Sequence, residues 1–485
     1  MTSPFARPSP ESRTWWCDYA WLPTGVVAGV RITVSNGRIS AIETDCSTAR
    51  SGDTSLHGVT VPGLANAHSH AFHRALRGRT HGDGGTFWTW REAMYAVANR
   101  LTPESYLSLA RAAYAEMALA GYTVVGEFHY VHHRPDGTAY EDPNAMGRAL
   151  VQAAADAGIR LTLLDTCYLA GGLSGEGHDP LAPEQRRFGD GAVEGWQRRT
   201  QAREDWPECR ADDHGPARVR LGVAAHSVRA VPAGSLRQVA EVARDHAMPL
   251  HIHVSEQPAE NEACRARYDC TPTELLATER ALGPGTTVVH ATHLTAADIS
   301  TLGQTATIAC FCPTTERDLA DGIGPARALA DAGAALALGS DQHAIVDPFE
   351  EMRGLESHER LTSGQRGRFT PDELLRAATA TGYRSLGWGS EGGLLQVGAL
   401  ADFVTVSLRS PRTAGSRPDQ ILYSATAADV TTVVVGGETT VSDREHRLGF
   451  AAAIGTMLAK AIAAVTDRGD RRRRGWLSRG ESARD

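Results

Sequence analysis

The stretch Val61-Pro62-Gly63-Leu64-Ala65-Asn66-Ala67-His68-Ser69-His70 decides how this chain is read. An apolar run meets a Pro-Gly turn and then delivers two histidines. Along extended backbone alternate side chains share a face, so the H-x-H spacing sets both imidazoles on one side, about 6–7 Å apart along the chain. Two such imidazoles suit one metal ion. They equally suit a hydrogen-bonded pair at a strand end, and the choice depends on what lies downstream.

Apolar, strand-like runs recur at 60–67, 123–128, 160–166, 218–225, 249–254, 286–290, 307–312 and 335–340. Helical stretches such as 103–120, 144–157, 235–246 and 326–332 lie between them, and several strands begin just after a Gly, as helix C-caps do. Eight such units predict an α/β protein, a closed (β/α)8 TIM-like barrel whose nearly continuous apolar strands are buried on both faces. Residues 171–217 interrupt the rhythm. Their mix of Gly, Arg, Asp and Glu predicts a long insertion, largely loop and solvated.

The chain ends read differently. Short strands are expected at 14–19, 29–34 and 38–43, and Asn36-Gly37 between two β-rich runs is a hairpin signal. A helix is expected at 371–386. Strands return at 403–408 and 433–435, followed by a Gly436-Gly437 turn and a terminal helix at 450–466. The expected division is 1–59 and 390–445 as two parts of one small β-sandwich domain built from both chain ends. Residues 60–389 form the barrel, and 446–485 the terminal helix and a basic tail that includes Arg471–Arg474. Gly387-Trp388-Gly389-Ser390-Glu391-Gly392 fits G-x-G-x-x-G, but a helix precedes it and strands follow, the wrong order for a dinucleotide site.

Composition narrows the function. The 485 residues carry a formal net charge of −8, which leaves no basic excess for general nucleic-acid binding. No apolar run reaches the roughly 18 residues needed to span a bilayer, and residues 1–12 hold no apolar signal-peptide core, so a cytoplasmic protein without membrane partners is expected. The 8 cysteines contain no C-x-x-C and read as reduced thiols. No H-E-x-x-H or G-x-S-x-G is present. Of the 49 basic residues only Lys460 is a lysine.

Chemistry in a (β/α)8 barrel sits at the C-terminal ends of the strands. There the chain places His68 and His70 on the first strand, His226 with Arg229 on the fourth, and His251 and His253 with Glu256 on the fifth. His290 ends the sixth, and Asp341 the eighth. Imidazoles plus one carboxylate suit zinc or ferrous iron. The expected ligands of one ion per chain are His68, His70, His253 and Asp341. His253 is preferred to His251 because His253-Val254-Ser255-Glu256 returns a carboxylate over the metal as the chain leaves the strand, and Glu256 can then carry protons.

These residues, with Ser340 before Asp341, resemble the amidohydrolase superfamily over nearly the whole chain. Gly398-Ala399-Leu400-Ala401-Asp402-Phe403 is similar to the segment by which many members re-enter the β domain. Binuclear members commonly use a carboxylated lysine on the fourth strand. With no lysine before residue 460, the resemblance implies the mononuclear branch. Within it, 65–72, Trp88-Thr89-Trp90-Arg91-Glu92, 127–133, His226-Ser227-Val228-Arg229-Ala230-Val231 and His253-Val254-Ser255-Glu256-Gln257 resemble the formimidoylglutamate deiminases. His73 departs from that pattern, where glutamine is expected.

That resemblance implies a zinc enzyme of histidine degradation, a homodimer, that converts N-formimidoyl-L-glutamate and water to N-formyl-L-glutamate and ammonia. The substrate is a small dicarboxylate, and an acidic protein must hold it with local guanidinium groups. Arg91 and Arg229 are the expected clamps, with His73, Tyr130 and His226 as further substrate contacts. Asp341, helped by His290, is expected to take a proton from the attacking water, and Glu256 to protonate the imino nitrogen. Two alternatives remain at this point: a related ring deaminase acting on guanine or a similar base, and a barrel that binds a ligand without catalysis.

Overall fold

A computed structural model describes residues 12–82, 85–203, 205–211 and 215–466. The segment up to Glu11 and the basic stretch 471–474 lie outside the described residues. Eight parallel strands run Leu64–Ser69, Tyr122–His129, Arg160–Cys167, Val219–Ser227, Leu250–Val254, Thr286–His290, Ile308–Phe311 and Ala335–Leu338, each paired to the next in chain order. The expected barrel is borne out. Its seam is closed at Ser69 and Asp341, which form a parallel bridge. Gly339 makes that closure fit: a Cβ there would lie 2.8 Å from the His68 Cβ and carbonyl oxygen. Ser340 N and Asp341 N donate to the His68 carbonyl at 3.1 and 3.0 Å.

The helices start and stop where local chemistry directs. Pro103–Ala120 opens on Thr102, whose hydroxyl accepts from Ser105 N, has Pro103 in its first turn, and ends at Gly121 with φ 104°. Its outer face packs against the terminal helix Ala451–Thr466 through Ala112, Ala115, Ile454 and Leu458. The expected helix 371–386 is present as Pro371–Arg376 and Gly382–Ser385 joined by a π-helical stretch, Ala377–Thr381.

Both chain ends meet in a second, eight-stranded sheet. Arg13–Leu22, Gly25–Ser35 and Arg38–Glu43 form its N-terminal part, and Asn36 and Gly37 turn the hairpin with φ of 50° and 72°. Phe403–Val406 and Val430–Val435 join it from the other end.

Two expectations are corrected. The run 60–67 is two strands in two sheets. Thr54–Pro62 pairs with Arg13–Leu22 and Phe403–Val406, and Leu64–Ser69 opens the barrel. Gly63 is the crossing point, where a Cβ would meet Thr123 Oγ1 at 2.4 Å and the Tyr383 hydroxyl at 2.7 Å. The described residues of 171–217 are not simply a solvated loop. They contain a short hairpin, the helix Val193–Gln201 and 3₁₀ turns, and they bury Arg187, Phe188, Trp196 and Arg199. Arg199 reaches Asp165 at 2.6 Å and Asp190 at 2.7 Å, and His133 meets Asp190 at 2.8 Å. Average charge marks such a segment as surface, because composition does not show that each arginine has a buried acceptor.

Candidate active site

The H-x-H pair, the fifth strand and the eighth strand converge at one point on the barrel rim. His253 Nε2 lies 3.1 Å from His68 Nε2, and Asp341 Oδ1 lies 3.4 Å from both His68 Nε2 and His70 Nε2. A tetrahedral ion with bonds of about 2.0–2.1 Å places its donor atoms roughly 3.3 Å apart, so these edges fit one zinc-sized cation. The tautomers fit as well. His70 Nδ1 faces the Phe128 carbonyl at 2.9 Å and His253 Nδ1 faces the His226 carbonyl at 2.8 Å. A ring nitrogen against a carbonyl carries the proton, which leaves both Nε2 atoms as lone pairs aimed inward. Burial pushes His68 down to about 3 and His70 to about 4, and holds His253 well below its ordinary value. The three rings are therefore neutral near pH 7. Asp341 stays ionised, because the surrounding imidazoles outweigh the cost of its burial. Neutral imidazoles and one carboxylate converging without protons between them are a donor set for a divalent metal.

Beside this group stands an acid–base pair. Glu256 Oε1 lies 3.6 Å from His290 Nε2, and Glu316 Oε1 approaches His290 Nδ1 at 3.5 Å. Burial raises the Glu256 carboxyl above its ordinary value, although His290 and Arg229 pull the other way. Burial disfavours charge on His290 too, but Glu256, Glu316 and Asp341 prevail and raise it well above the imidazole norm.

The expected substrate residues line the same cavity: His73, Arg91, Tyr130, His226 and Arg229 share it with His70, His253, Glu256, His290 and Asp341. His73 Nε2 pairs with the Tyr130 hydroxyl at 2.9 Å, and its ring abuts Trp90. Arg91 leans over the Trp88 and Tyr95 rings at 5.7 and 5.3 Å. Arg229 is committed on one edge: its Nε donates to Glu260 Oε2 at 2.7 Å while Nη2 stays 3.6 Å from Glu256 Oε2. Phe188, from the segment 171–217, packs on Tyr130 and Tyr168 and so backs this wall. His251 lies outside the group, its Nε2 held by the Ser385 carbonyl at 2.8 Å.

Sequence reasoning missed four acids. Glu127 accepts from Ala71 N at 2.7 Å and Ser69 Oγ at 3.0 Å, which fixes the backbone around His70, and burial lifts it to about 7. Glu260 also accepts from Ser255 N at 2.8 Å, and so holds the turn before Glu256. Glu316 and Asp321 follow the seventh strand and come back to the rim. Glu316 lies in the first turn of the helix that follows the seventh strand, so the strand-end rule extended one turn beyond that strand would have found it. Asp321 has no such signal, because a helix, Pro313–Asp318, intervenes.

A parallel barrel with a candidate metal centre and an adjacent acid–base pair at its C-terminal rim defines a barrel hydrolase. A family model described as the amidohydrolase family matches residues 59–440, and the chain belongs to that family, hydrolases acting on C–N bonds. A formimidoylglutamate deiminase of Pseudomonas aeruginosa is 35% identical over 446 residues, 89% of this chain and 95% of that one. An 8-oxoguanine deaminase of the same organism is 31% identical over 470 residues, 94% of this chain and 99% of that one. Among solved structures, an amidohydrolase from Brucella melitensis superposes with a TM-score of 0.82 at 32% identity, over 93% of this chain and 99% of the other. No described helix is long and apolar enough to cross a membrane.

Proposed function

We propose that this protein hydrolyses N-formimidoyl-L-glutamate to N-formyl-L-glutamate and ammonia, with one zinc ion held by His68, His70, His253 and Asp341. The observation that carries this reading is the meeting of two guanidinium groups, Arg91 and Arg229, with the Glu256–His290 pair in one cavity. The 35% identity to the Pseudomonas deiminase supports it.

Arg91 and Arg229 bind the two carboxylates, each charged hydrogen bond contributing on the order of 1.5–3 kcal/mol. When bound, the metal supplies Lewis acidity that makes water a nucleophile near neutral pH. Asp341 takes the proton of the attacking water on the carboxylate oxygen that does not face the metal site. His290 Nε2 donates to the new oxygen as the carbon becomes tetrahedral. Glu256, whose carboxyl burial raises above its ordinary value, delivers a proton to the imino nitrogen. Asp341 then hands that nitrogen the proton taken from water. As the C–N bond breaks and ammonia leaves, the hydroxyl proton of the tetrahedral carbon returns to Glu256. The homodimer rests on the family resemblance, and sedimentation equilibrium tests it.

A second reading, deamination of an oxidised or ordinary purine, is favoured by the 31% identity to the 8-oxoguanine deaminase. A flat, uncharged ring has no use for two guanidinium groups. Ammonia release by zinc-loaded protein decides between the readings, with N-formimidoyl-L-glutamate, N-formimidoyl-glycine, guanine and 8-oxoguanine as substrates. Turnover of the first alone is expected. Turnover of either purine in its place overturns the substrate assignment.

A further inference from the structure

Asp321 is a buried acid of the rim that the reaction above does not use. It is 2% exposed. One carboxylate oxygen, Oδ1, accepts from the Gln257 side chain, and its backbone carbonyl accepts from His293 Nε2 at 2.7 Å, so the residue is fixed in place. Gly322, with φ 116°, makes the turn that follows. The other oxygen, Oδ2, is buried with no hydrogen-bond partner. Donor-capable atoms of Glu256, His290 and Asp321 lie within 4.8 Å of one another. Leaving a carboxylate oxygen buried and unpaired is costly, so such a group calls for a ligand that brings N–H or O–H donors.

A second metal ion is a poor fit for this place. Glu256 already faces two basic side chains, Arg229 Nη2 and His290 Nε2, each at 3.6 Å. A flat nitrogen donor fits better. The formimidoyl group is an amidine, a strong base that is protonated near neutral pH, and its terminal nitrogen carries N–H bonds.

We propose that Asp321 is a substrate-binding residue whose Oδ2 accepts from the terminal, departing nitrogen of a cationic amidine, with Glu256 on the other side of that nitrogen. The inference rests on the substrate class proposed above and deepens it: the pocket selects an amidinium at one end as it selects carboxylates at the other. Burial and the neighbouring Glu256 push the Asp321 carboxyl up to about 9 when it stands alone. An arriving amidinium removes that penalty by supplying the missing countercharge, and because the empty-pocket carboxyl and the free amidine are both protonated near neutral pH, one proton is released to solvent as the pair forms. Glu256 then hands its own proton to a nitrogen already held in line.

Two analogues of equal shape test this on the zinc-loaded enzyme by titration calorimetry. N-amidino-L-glutamate carries a guanidinium and N-carbamoyl-L-glutamate a neutral urea. The wild type is expected to favour the guanidinium, and Asp321→Asn to weaken that analogue by about ten- to a hundredfold while leaving the urea within about threefold. Equal affinity of the wild type for both analogues, alongside turnover of N-formimidoyl-L-glutamate, overturns the subsite and leaves the function standing. So does an Asp321→Asn variant that loses both equally or neither. The wild-type preference needs no variant, which keeps the test decisive where the variant does not fold. A wild type that neither turns over N-formimidoyl-L-glutamate nor binds either analogue overturns the proposed function itself.

Discussion

The two ends of the barrel handle buried charge in opposite ways. At the bottom, Asp402 and Arg160 are both fully buried. The Asp402 carboxylate accepts from Arg160 Nε at 2.7 Å, Arg160 Nη2 at 3.0 Å, the Tyr383 hydroxyl at 2.8 Å and Gly436 N at 2.7 Å. Trp388 lies against the guanidinium at 5.3 Å. Each charge there is answered from within the protein, and the pair ties the third barrel strand to the second sheet. At the rim, His68 Nδ1, His73 Nδ1 and Asp321 Oδ2 are buried without partners, and the Nε2 atoms of His70 and His253 face Asp341 and His68. A satisfied buried pair holds the fold, and an unsatisfied set is kept for ligands.

Breaking each end separately sharpens this contrast. Glu256→Gln is expected to lower kcat by about 10²- to 10⁴-fold while metal content stays at the wild-type level, as steady-state ammonia release and metal analysis together would show. At the other end, Arg160→Met leaves Asp402 as an uncompensated buried charge and is expected to cost about 3–5 kcal/mol in urea unfolding. Its activity per folded molecule should remain that of the wild type, and a fall in kcat at unchanged stability would erase the distinction between the two ends. Arg91→Met is expected to raise KM for the dicarboxylate by about ten- to a hundredfold with little change in kcat, because it removes binding shared by ground and transition states.

The smallest effect is a pH dependence at the bottom. Burial alone would raise the Asp402 carboxyl, but Arg160 outweighs it and holds the folded value below the ordinary one. A depressed carboxylate contributes stability that is whole above the unfolded pKa of about 3.9 and fades as pH falls toward the folded value. The stability difference between wild type and Asp402→Asn should therefore be constant from pH 7 to 5 and shrink below pH 4. A difference that grows on acidification would contradict the pairing.

The same contrast explains what the sequence made legible. The second to eighth barrel strands stand out as apolar runs bounded by turns, with His253 and Asp341 as polar residues at their ends, and His68 and His70 stand out as the H-x-H pair of the first. The strand switch at Gly63 was hidden because both flanking strands, Thr54–Pro62 and Leu64–Ser69, are apolar, and periodicity carries no record of which sheet a strand joins. Arg199 read as surface because one acceptor, Asp165, comes from a barrel strand elsewhere in the chain, and the folding back of the segment that brings Asp190 to it leaves no periodic mark. Asp321 escaped for a related reason: a residue that returns to the rim after a helix is placed by tertiary packing, with no strand-end pattern to mark it.

The central claim is that the lone pairs left open at the rim hold one metal ion. Metal analysis of the purified wild type and of His253→Ala tests it most directly, with thermal unfolding as the control for folding. One equivalent of zinc per chain in the wild type, and its loss from a folded His253→Ala protein, is the predicted result. Two equivalents per chain, or full retention of metal by the variant, would contradict the claim.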